Sequence, residues 1–538
     1  MRQVKRIISM LLVIIMAIGL FTGCKKNTKK KGDNVLTVGI PQDVTVPDYD
    51  KNALTVYLED ATGIDIEWVF YASAASNYAQ QLATACAANE ELPDVLIGFR
   101  DLGHYTVNQY GEDGYFIDLK NLIDEYAVNY KKQLSELPED LQKYVAEKGT
   151  NTTNGAFYGM PVGDCLNIPD KMQSMMYINQ TWLDAVGMKA PTTVSELEAV
   201  CEAFVTKDPN GNGEADEIAM LGDTTIIYWL INAFVEYDHN DFNIKNGKVW
   251  DPLTTDEFRQ GLAWVNELTE KGYLNELSYT YTTTERKGLI SPTDGDMRVG
   301  IFSGHPESNT NAQTDALNHF TALGVLGDAT GKGGYNVINE HASTISWSGF
   351  ITKDCKDTEL AMKFLDAFYT DECVTRQRFG EKDVDWKYEE GTNISGTKSY
   401  AKLINSNVWF DRSLNKVLGN LLGFETEWNY SAVIDNGEGR IGQTFRIAKE
   451  GYDVLMNSGK KREGQTSGLI YTPKEYETRE MKVGEIYSYV NENVILFCQG
   501  ELDVEDDKKW NEFKSTLSSL GQDEFVKIAQ DAYDRKSK

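Results

Sequence analysis

The sequence predicts an α/β fold built around a parallel sheet, and three observations carry that expectation. Between residues 35 and 98, β-forming apolar runs alternate with helical patterns. Such β-α-β-α-β alternation implies parallel pairing, because each helix carries the chain back across the sheet. Two of the helical patterns stop at glycine, Gly63 and Gly272, where a left-handed residue can end a helix. The 538 residues are 41% hydrophobic and 25% charged, which supplies packed cores rather than a disordered acidic chain.

The elements follow in order. Residues 35–40, VLTVGI, read as a short apolar strand, and 51–62 as a helix ending at Gly63. Residues 64–71, IDIEWVFY, alternate and are rich in β-formers, so they read as a strand. Tyr78, Leu82 and Cys86 repeat at helical spacing within 77–89, and 92–98, LPDVLIG, form another buried strand. Ligands gather beyond the carboxyl ends of such strands, so residues 71–76 and 98–101 are expected to line a cleft. Further on, Thr193 and Glu196 are spaced as a capping box before a helix with Leu197, Val200 and Phe204 on its buried stripe. Thr254 and Glu257 repeat the spacing before Phe258, Leu262, Val265 and Leu268. Asp357 or Thr358 starts a helix with Leu360, Phe364, Leu365 and Phe368. These stripes are core-facing and carry no chemistry.

Charge narrows the partners. With 53 Lys+Arg against 82 Asp+Glu, the net charge is −29. Nucleic acid rewards clustered Lys and Arg, and anionic lipid does the same, so neither is expected to meet the body of the chain. A membrane link must be local, and the N-terminus supplies it. Arg2, Lys5 and Arg6 precede an apolar run of fifteen residues, 7–21. A span needs ~20 residues, so the run fits the core of a secretory signal peptide, with an uncleaved anchor as the alternative.

Residues 21–24, FTGC, resemble a bacterial lipobox. That resemblance implies cleavage after Gly23 and a diacylglycerol on the Cys24 thiol. Residues 1–23 are then the signal peptide, and 24–33 the anchor with its tether, KKNTKKKG, which has no apolar face. The expected location is outside the cytoplasm, lipid-anchored to the outer face of the cell membrane. The other cysteines, Cys86, Cys165, Cys201, Cys355, Cys373 and Cys498, form no CxxC pair and no zinc spacing. Small buried thiols are the expectation, with disulfide connectivity left open.

One loop carries a metal argument. In DPNGNGEADE, residues 208–217, Asp208, Asn210 and Asn212 stand at the first, third and fifth places of an EF-hand pattern. Gly213 allows the sharp turn, and Glu214 offers a backbone carbonyl. The twelfth place is Ala219 rather than a bidentate Glu, and Asp216 and Glu217 supply carboxylates instead. Such carboxylates repel without a cation, so a structural Ca²⁺ is expected. A solvated Asn-Gly turn is the plainer reading.

Several segments together resemble one family: LPDV at 92–95, AFYGMP at 156–161, MYINQTWLD at 176–184, PTT at 191–193, the 208–217 loop, GFITKDCKD at 349–357 and AYDR at 532–535. They are similar to the carbohydrate-type extracellular solute-binding lipoproteins, family 1, of ABC transporters, from about residue 34 to the end. The resemblance implies a two-lobed periplasmic-binding-protein type II fold with a ligand cleft between the lobes. It implies about three hinge crossovers, expected near 161–165, 343–349 and 376–383. The N-terminal lobe would hold 34–163 plus 345–378, and the C-terminal lobe 164–344 plus 379–538. It implies capture of an oligosaccharide and delivery to a membrane permease by a monomer. It also implies calcium held by Asp208, Asn210, Asn212, the Glu214 carbonyl, Asp216 and Glu217.

A sugar presents C–H faces and a rim of hydroxyls, so its site needs flat aromatics and planar hydrogen-bonding groups. The cleft candidates are Tyr71, Arg100, Asp164, Tyr228, Trp229, Trp347, Trp386 and Trp428. Trp347 ranks first, set among Ser346, Ser348 and Gly349 at an expected crossover, and Trp386 follows Gly380 in a charged loop. Trp68, Trp182, Trp264 and Trp510 fall in strand or helix patterns and read as core. For any one candidate, core or surface packing is an equal reading.

Two other classes stand beside this one. A secreted glycoside hydrolase needs a carboxylate pair, and no pair stands out. There is no GxSxG elbow, GQTSG at 464–468 having the wrong spacing, and TGKG at 330–333 lacks the rest of a phosphate loop. The five histidines, His104, His239, His305, His319 and His341, form no HExxH. No catalytic residue is assigned, and the chain is not expected to be an enzyme. A lipoprotein that docks partners or presents ligand to a sensor is the third reading.

Overall fold

Two separate sheets organise the chain. The computed structural model describes residues 34–163, 175–239, 242–293, 295–304, 306–311, 315–328, 333–336, 345–392, 398–405, 407–409, 411–424, 439–457, 460–461, 463–466 and 469–536. The first sheet has six strands, in the order Gly423–Phe424, Met160–Gly163, Ile345–Ile351, Val95–Ile97, Val35–Pro41 and Asp65–Tyr71. Val35–Pro41 pairs in parallel with both Asp65–Tyr71 and Val95–Ile97, as the alternation of elements requires. Ile345–Ile351 runs antiparallel between Val95–Ile97 and Met160–Gly163.

The connecting helices form where the sequence places them. Ala53–Thr62 begins at Asn52, whose side chain accepts from Leu54 N, and ends at left-handed Gly63. Ala75–Ala87 begins two residues earlier than its apolar spacing predicts and buries Tyr78, Leu82 and Cys86.

The second sheet has four strands, ordered Phe320–Leu323, Met176–Asn179, Val299–Ser303 and Ile218–Leu221. Its side chains alternate between two cores. Met176, Ile178 and Ile301 face the larger one, while Tyr177 and Phe302 face the smaller. The larger core is closed by helices Asp256–Glu270, Pro473–Cys498, Asp507–Leu520 and Gln522–Lys536.

The core around the first sheet runs from Leu36 to Phe424, and the cores around the second from Met175 to Ala532, with no residue in common. These are the two lobes. The chain belongs to the first core up to Met160, to the second set of cores from Met175, and to the first again from Ile345. Parts of both passages, 164–174 and 337–344, lie outside the described residues.

The third crossover is not at 376–383. That stretch is the end of helix Asp371–Phe379 and its Gly380 cap. The chain stays with the first lobe as far as Phe424, because Leu421, Leu422 and Phe424 are buried in its core and Gly423–Phe424 pairs with Met160–Gly163. Gln377 Oε1 accepts from Leu421 N at 2.8 Å, and Gln133 Oε1 accepts from Phe424 N at 3.0 Å. The boundary expected at 378 therefore moves past 424. Among the described residues no helix is long and apolar enough to cross a membrane.

Candidate ligand cleft

The strand ends locate the cleft. In the first sheet, the parallel strands end at Pro41, Tyr71, Ile97 and Gly163, and the antiparallel strand starts opposite Gly163, at Ile345. In the second, Leu221 and Ser303 end together, and Met176 starts opposite Ser303. The passages between lobes leave and enter at these ends. The two carboxyl-end poles are therefore brought towards each other, which is where α/β sheets hold ligands. Contacts among the described residues bridge the lobes. Tyr105 stacks on Tyr476, and Lys148 Nζ donates to Leu469 O at 2.8 Å.

On the first lobe, Gln42 N donates to Tyr71 O at 2.9 Å, so the chain turns directly off the strand end. Tyr71 is half-buried and packs edge-on against Phe99, 5.0 Å between centroids, and burial pushes its hydroxyl up to about 12. Arg100 opens a 3-10 turn in which Asp101 Oδ2 accepts from Tyr78 OH at 3.0 Å. His104 follows, 5.4 Å from the Trp347 ring. The Asn108 side-chain amide lies 2.9 Å from His104 Nε2. Burial, and then Lys148, push the imidazole down to about 4. Trp347 is only 6% exposed, and its Nε1 is buried with no partner. Its ring lies where a Cβ on Gly159 would come within 3.0 Å, so it is packed into the lobe.

On the second lobe, helix Thr225–Ile231 starts just beyond the strand end. Tyr228 OH donates to Asn491 Oδ1 at 2.8 Å, and its ring stacks on His239 at 4.3 Å with the planes 9° apart. Burial raises this hydroxyl to about 12 as well. Trp229 is buried in the second core. Arg286 is 7% exposed and donates through Nη1 to Tyr281 O at 2.7 Å, with Asp223 Oδ2 3.6 Å from Nη2.

Trp386 does not line a cleft. It is buried, and its Nε1 donates to Gly380 O at 3.0 Å, because Gly380 at φ 81° turns that carbonyl towards it. Asp164 and Trp428 lie outside the described residues. Sequence reasoning passed over His104, Asp223, His239, Arg286 and the Tyr105–Tyr476 pair. Asp223 carried a signal, in the Gly222-Asp223-Thr224-Thr225 step between a strand and a helix.

The 208–217 loop is coiled as its pattern predicts. Asp208 at φ 48° accepts from Gly211 N, Asn212 N and Gly213 N at 2.9–3.1 Å, and Gly211 and Gly213 have φ of 75° and 80°. Asp216 Oδ1 accepts from the Asn210 and Asn212 amides, and Asp216 Oδ2 from Arg298 Nε at 2.8 Å. Among the described residues no three or more His, Cys, Asp or Glu side chains are grouped as metal ligands, and amide and guanidinium donors hold Asp216 instead. Glu217 Oε1 is buried without a partner. Burial first, then Asp208 and Asp216, raise the Glu217 carboxyl. The orphaned oxygen and the crowded carboxylates fit a hard cation, with the Asn210 and Asn212 amides turned so that their oxygens point inward.

The comparisons with known proteins agree with this architecture. The bacterial extracellular solute-binding protein model matches residues 44–372, more than half of the chain. The fructooligosaccharide ABC transporter substrate-binding protein FusA of Streptococcus pneumoniae serotype 4 (strain ATCC BAA-334 / TIGR4) is 24% identical, over 94% of this chain and 91% of FusA. An extracellular solute-binding protein from Bifidobacterium longum subsp. infantis has the same fold, with TM-score 0.76 and 21% identity over 95% of this chain and 100% of that one. An EF-hand mutant of the S. pneumoniae FusA, in complex with fructo-nystose, gives TM-score 0.74 at 20% identity over 94% and 99%. The chain belongs to the bacterial extracellular solute-binding protein family.

Proposed function

We propose that this protein is the substrate-binding lipoprotein of an ABC importer, taking an oligosaccharide into the cleft between its lobes and delivering it to a membrane permease. The observation that carries the reading is the convergence of both sets of strand ends on one cleft. Tyr71, Arg100 and Tyr228 stand around those ends and offer aromatic faces and a planar donor, the chemistry a sugar requires. The similarity to FusA supports a carbohydrate over other small solutes. The protein acts as a monomeric receptor and has no catalytic step of its own. Cys24 carries the lipid that holds it at the outer face of the membrane.

Calcium is structural in this reading. Asp208, Asn210, Asn212, the Glu214 carbonyl, Asp216 and Glu217 would hold it, and it would neutralise carboxylates that otherwise crowd one loop. The FusA EF-hand mutant supports a loop of this type among similar proteins.

Calorimetry of the mature protein against an oligosaccharide panel that includes kestose tests the proposal. Saturable one-to-one binding is expected, with the ligand recovered intact after hours. Release of new reducing ends would make the protein a hydrolase, and silence across the panel would favour a docking role.

A further inference from the structure

A cleft that takes a sugar needs acceptor oxygens that nothing else occupies, because a hydroxyl buried without a partner weakens binding. Asp223 offers one on the second lobe. It lies two residues past the strand end at Leu221 and just before helix Thr225–Ile231. Its two oxygens differ. Oδ1 accepts from Thr225 N at 3.0 Å and from Thr225 Oγ1, a side-chain turn that leads into the helix. Oδ2 is not buried and accepts no hydrogen bond from the described residues. Its ion-pair partner is Arg286 Nη2, at 3.6 Å.

This pair has its base inside and its acid outside. The Arg286 side chain is 9% exposed and that of Asp223 34%. Arg286 directs its N–H groups to Tyr281 O at 2.7 Å, Thr283 Oγ1 at 3.4 Å and Asn309 Oδ1 at 3.5 Å. The guanidinium therefore stays behind the carboxylate, and a carboxylate oxygen has lone pairs to spare for donors in front.

The open oxygen lies beside the passage between the lobes. Gly304, one residue past the strand end at Ser303, has φ 101°, and a Cβ there would stand 3.7 Å from Oδ2. Gly304 N donates to Met175 O at 2.9 Å, and Met175 is the first described residue after the passage from the first lobe. An aromatic face is close by. Tyr228 stands on the helix that Asp223 precedes, and Asp223 adds, after burial and Cys498, to the upward push on its hydroxyl. An open acceptor next to a ring matches the hydroxyl rim and C–H face of one sugar unit. A carboxylate on that unit would instead meet the Asp223 charge in a partly desolvated site and be repelled.

We infer that Asp223 is a specificity-determining residue, its Oδ2 accepting ligand hydroxyls and its charge admitting a neutral sugar unit while turning away a uronic acid. The inference rests on the proposed carbohydrate-binding role, and it adds a residue and a charge class to that role.

The test uses calorimetry of the mature protein with three probes: kestose, galactotriose and trigalacturonate. At least one neutral probe is expected to bind, with an affinity that barely changes with salt, and trigalacturonate to bind at least ~10-fold more weakly than that probe. Asp223→Asn keeps the acceptor of the turn and removes the charge. It should weaken the neutral probe by roughly 10- to 100-fold. It should also narrow the gap to trigalacturonate and leave the ligand-free melting temperature almost unchanged. If Asp223→Asn does not fold, Asp223→Ser, whose hydroxyl can make the same turn, is read in the same way. A neutral-probe affinity unchanged by the variant, or trigalacturonate as the tightest probe, overturns the inference and leaves the transport reading standing. Affinity lost only together with ligand-free stability makes Asp223 a helix-start residue and overturns it too. No binding of any probe removes both readings.

Discussion

Tyr105 and Tyr476 stack across the two lobes, with ring centroids 4.4 Å apart and planes 13° from parallel. Tyr105 stands on helix His104–Glu112 of the first lobe, and Tyr476 in the first turn of helix Pro473–Cys498 of the second. Lys148 and Leu469 add a hydrogen bond between the lobes. The contacts form a clasp, and an opening that separates these surfaces breaks it.

An aromatic pair of this kind is worth about 0.5–1.5 kcal/mol beyond its buried area. Tyr476→Ala should therefore shift the population towards open forms and weaken ligand binding by roughly 2- to 10-fold. Neither ring belongs to a lobe core, so the melting temperature should barely change. Calorimetry and the small-angle scattering radius of the ligand-free protein check this. An unchanged radius together with unchanged affinity would show that the clasp does not set the lobe angle.

His104 makes the acid side of the stability curve predictable. Burial first, and Lys148 second, lower its folded pKa to about 4 from the ordinary 6.5. The unfolded chain therefore takes a proton in a range where the folded protein refuses it. Stability from the neutral ring is complete above about pH 6.5, declines as pH falls, and is gone below about pH 4, a loss of about 3 kcal/mol. His104→Gln should flatten that part of the curve in denaturant titrations between pH 7 and 4. His239, lowered by burial in the same direction, and the carboxylates leave a residual slope in both proteins. A variant slope equal to the parent's would refute the assignment.

Trp347 requires a different mutational expectation from the one its sequence setting suggests. The small residues around it read as an open crossover, where removal of the indole would abolish binding and spare the fold. In the structure the ring packs over Gly159 and beside His104, in the core of the first lobe. Trp347→Ala should cost about 3–5 kcal/mol of stability, as buried aromatic truncations do. Trp347→Phe should cost much less, and it removes the Nε1 donor that lacks a partner. Denaturant midpoints for the two variants separate packing from hydrogen bonding. A Trp347→Ala midpoint equal to the parent's would return the residue to an open wall.

The same contrast shows what the sequence could convey. Periodicity located the first strands and helices to within a few residues, because apolar spacing and glycine stops act locally, as at Gly63. Thr193 and Asp357 cap their helices as the sequence predicts, and two details differ. Thr255, not Thr254, caps Asp256–Glu270, and Glu196 reaches back to Thr192 rather than closing the box on Thr193. Neighbouring threonines offer the same chemistry, and backbone geometry chooses between them.

Trp386 and the third crossover failed for a longer-range reason. Residues 379–424 return to the first core through Gln377, Gln133 and the short Gly423–Phe424 strand. A two-residue strand has no periodicity to read. The cleft was legible as a rule about strand ends, but its polar members Asp223, Arg286 and His239 come from separate elements that only the fold brings together.

The 208–217 loop yields a prediction whose sign depends on calcium. Without the cation, Glu217 carries a carboxyl raised by burial and by Asp208 and Asp216, with one oxygen lacking a partner. An acid raised in the folded state keeps its proton where the unfolded chain has lost it, so ionised Glu217 costs stability once pH exceeds its folded value. Glu217→Gln removes that cost, and in EDTA at pH 7 it should be at least as stable as the parent. With calcium a thousandfold above its Kd, the parent should gain about 4 kcal/mol. The variant should gain little, because the amide cannot replace a charged oxygen ligand. Calcium must also compete with Arg298 for Asp216, so Arg298→Gln should raise calcium affinity. Melting curves of the three proteins in EDTA and in calcium decide the matter. A parent unmoved by calcium would leave the loop a hydrogen-bonded turn.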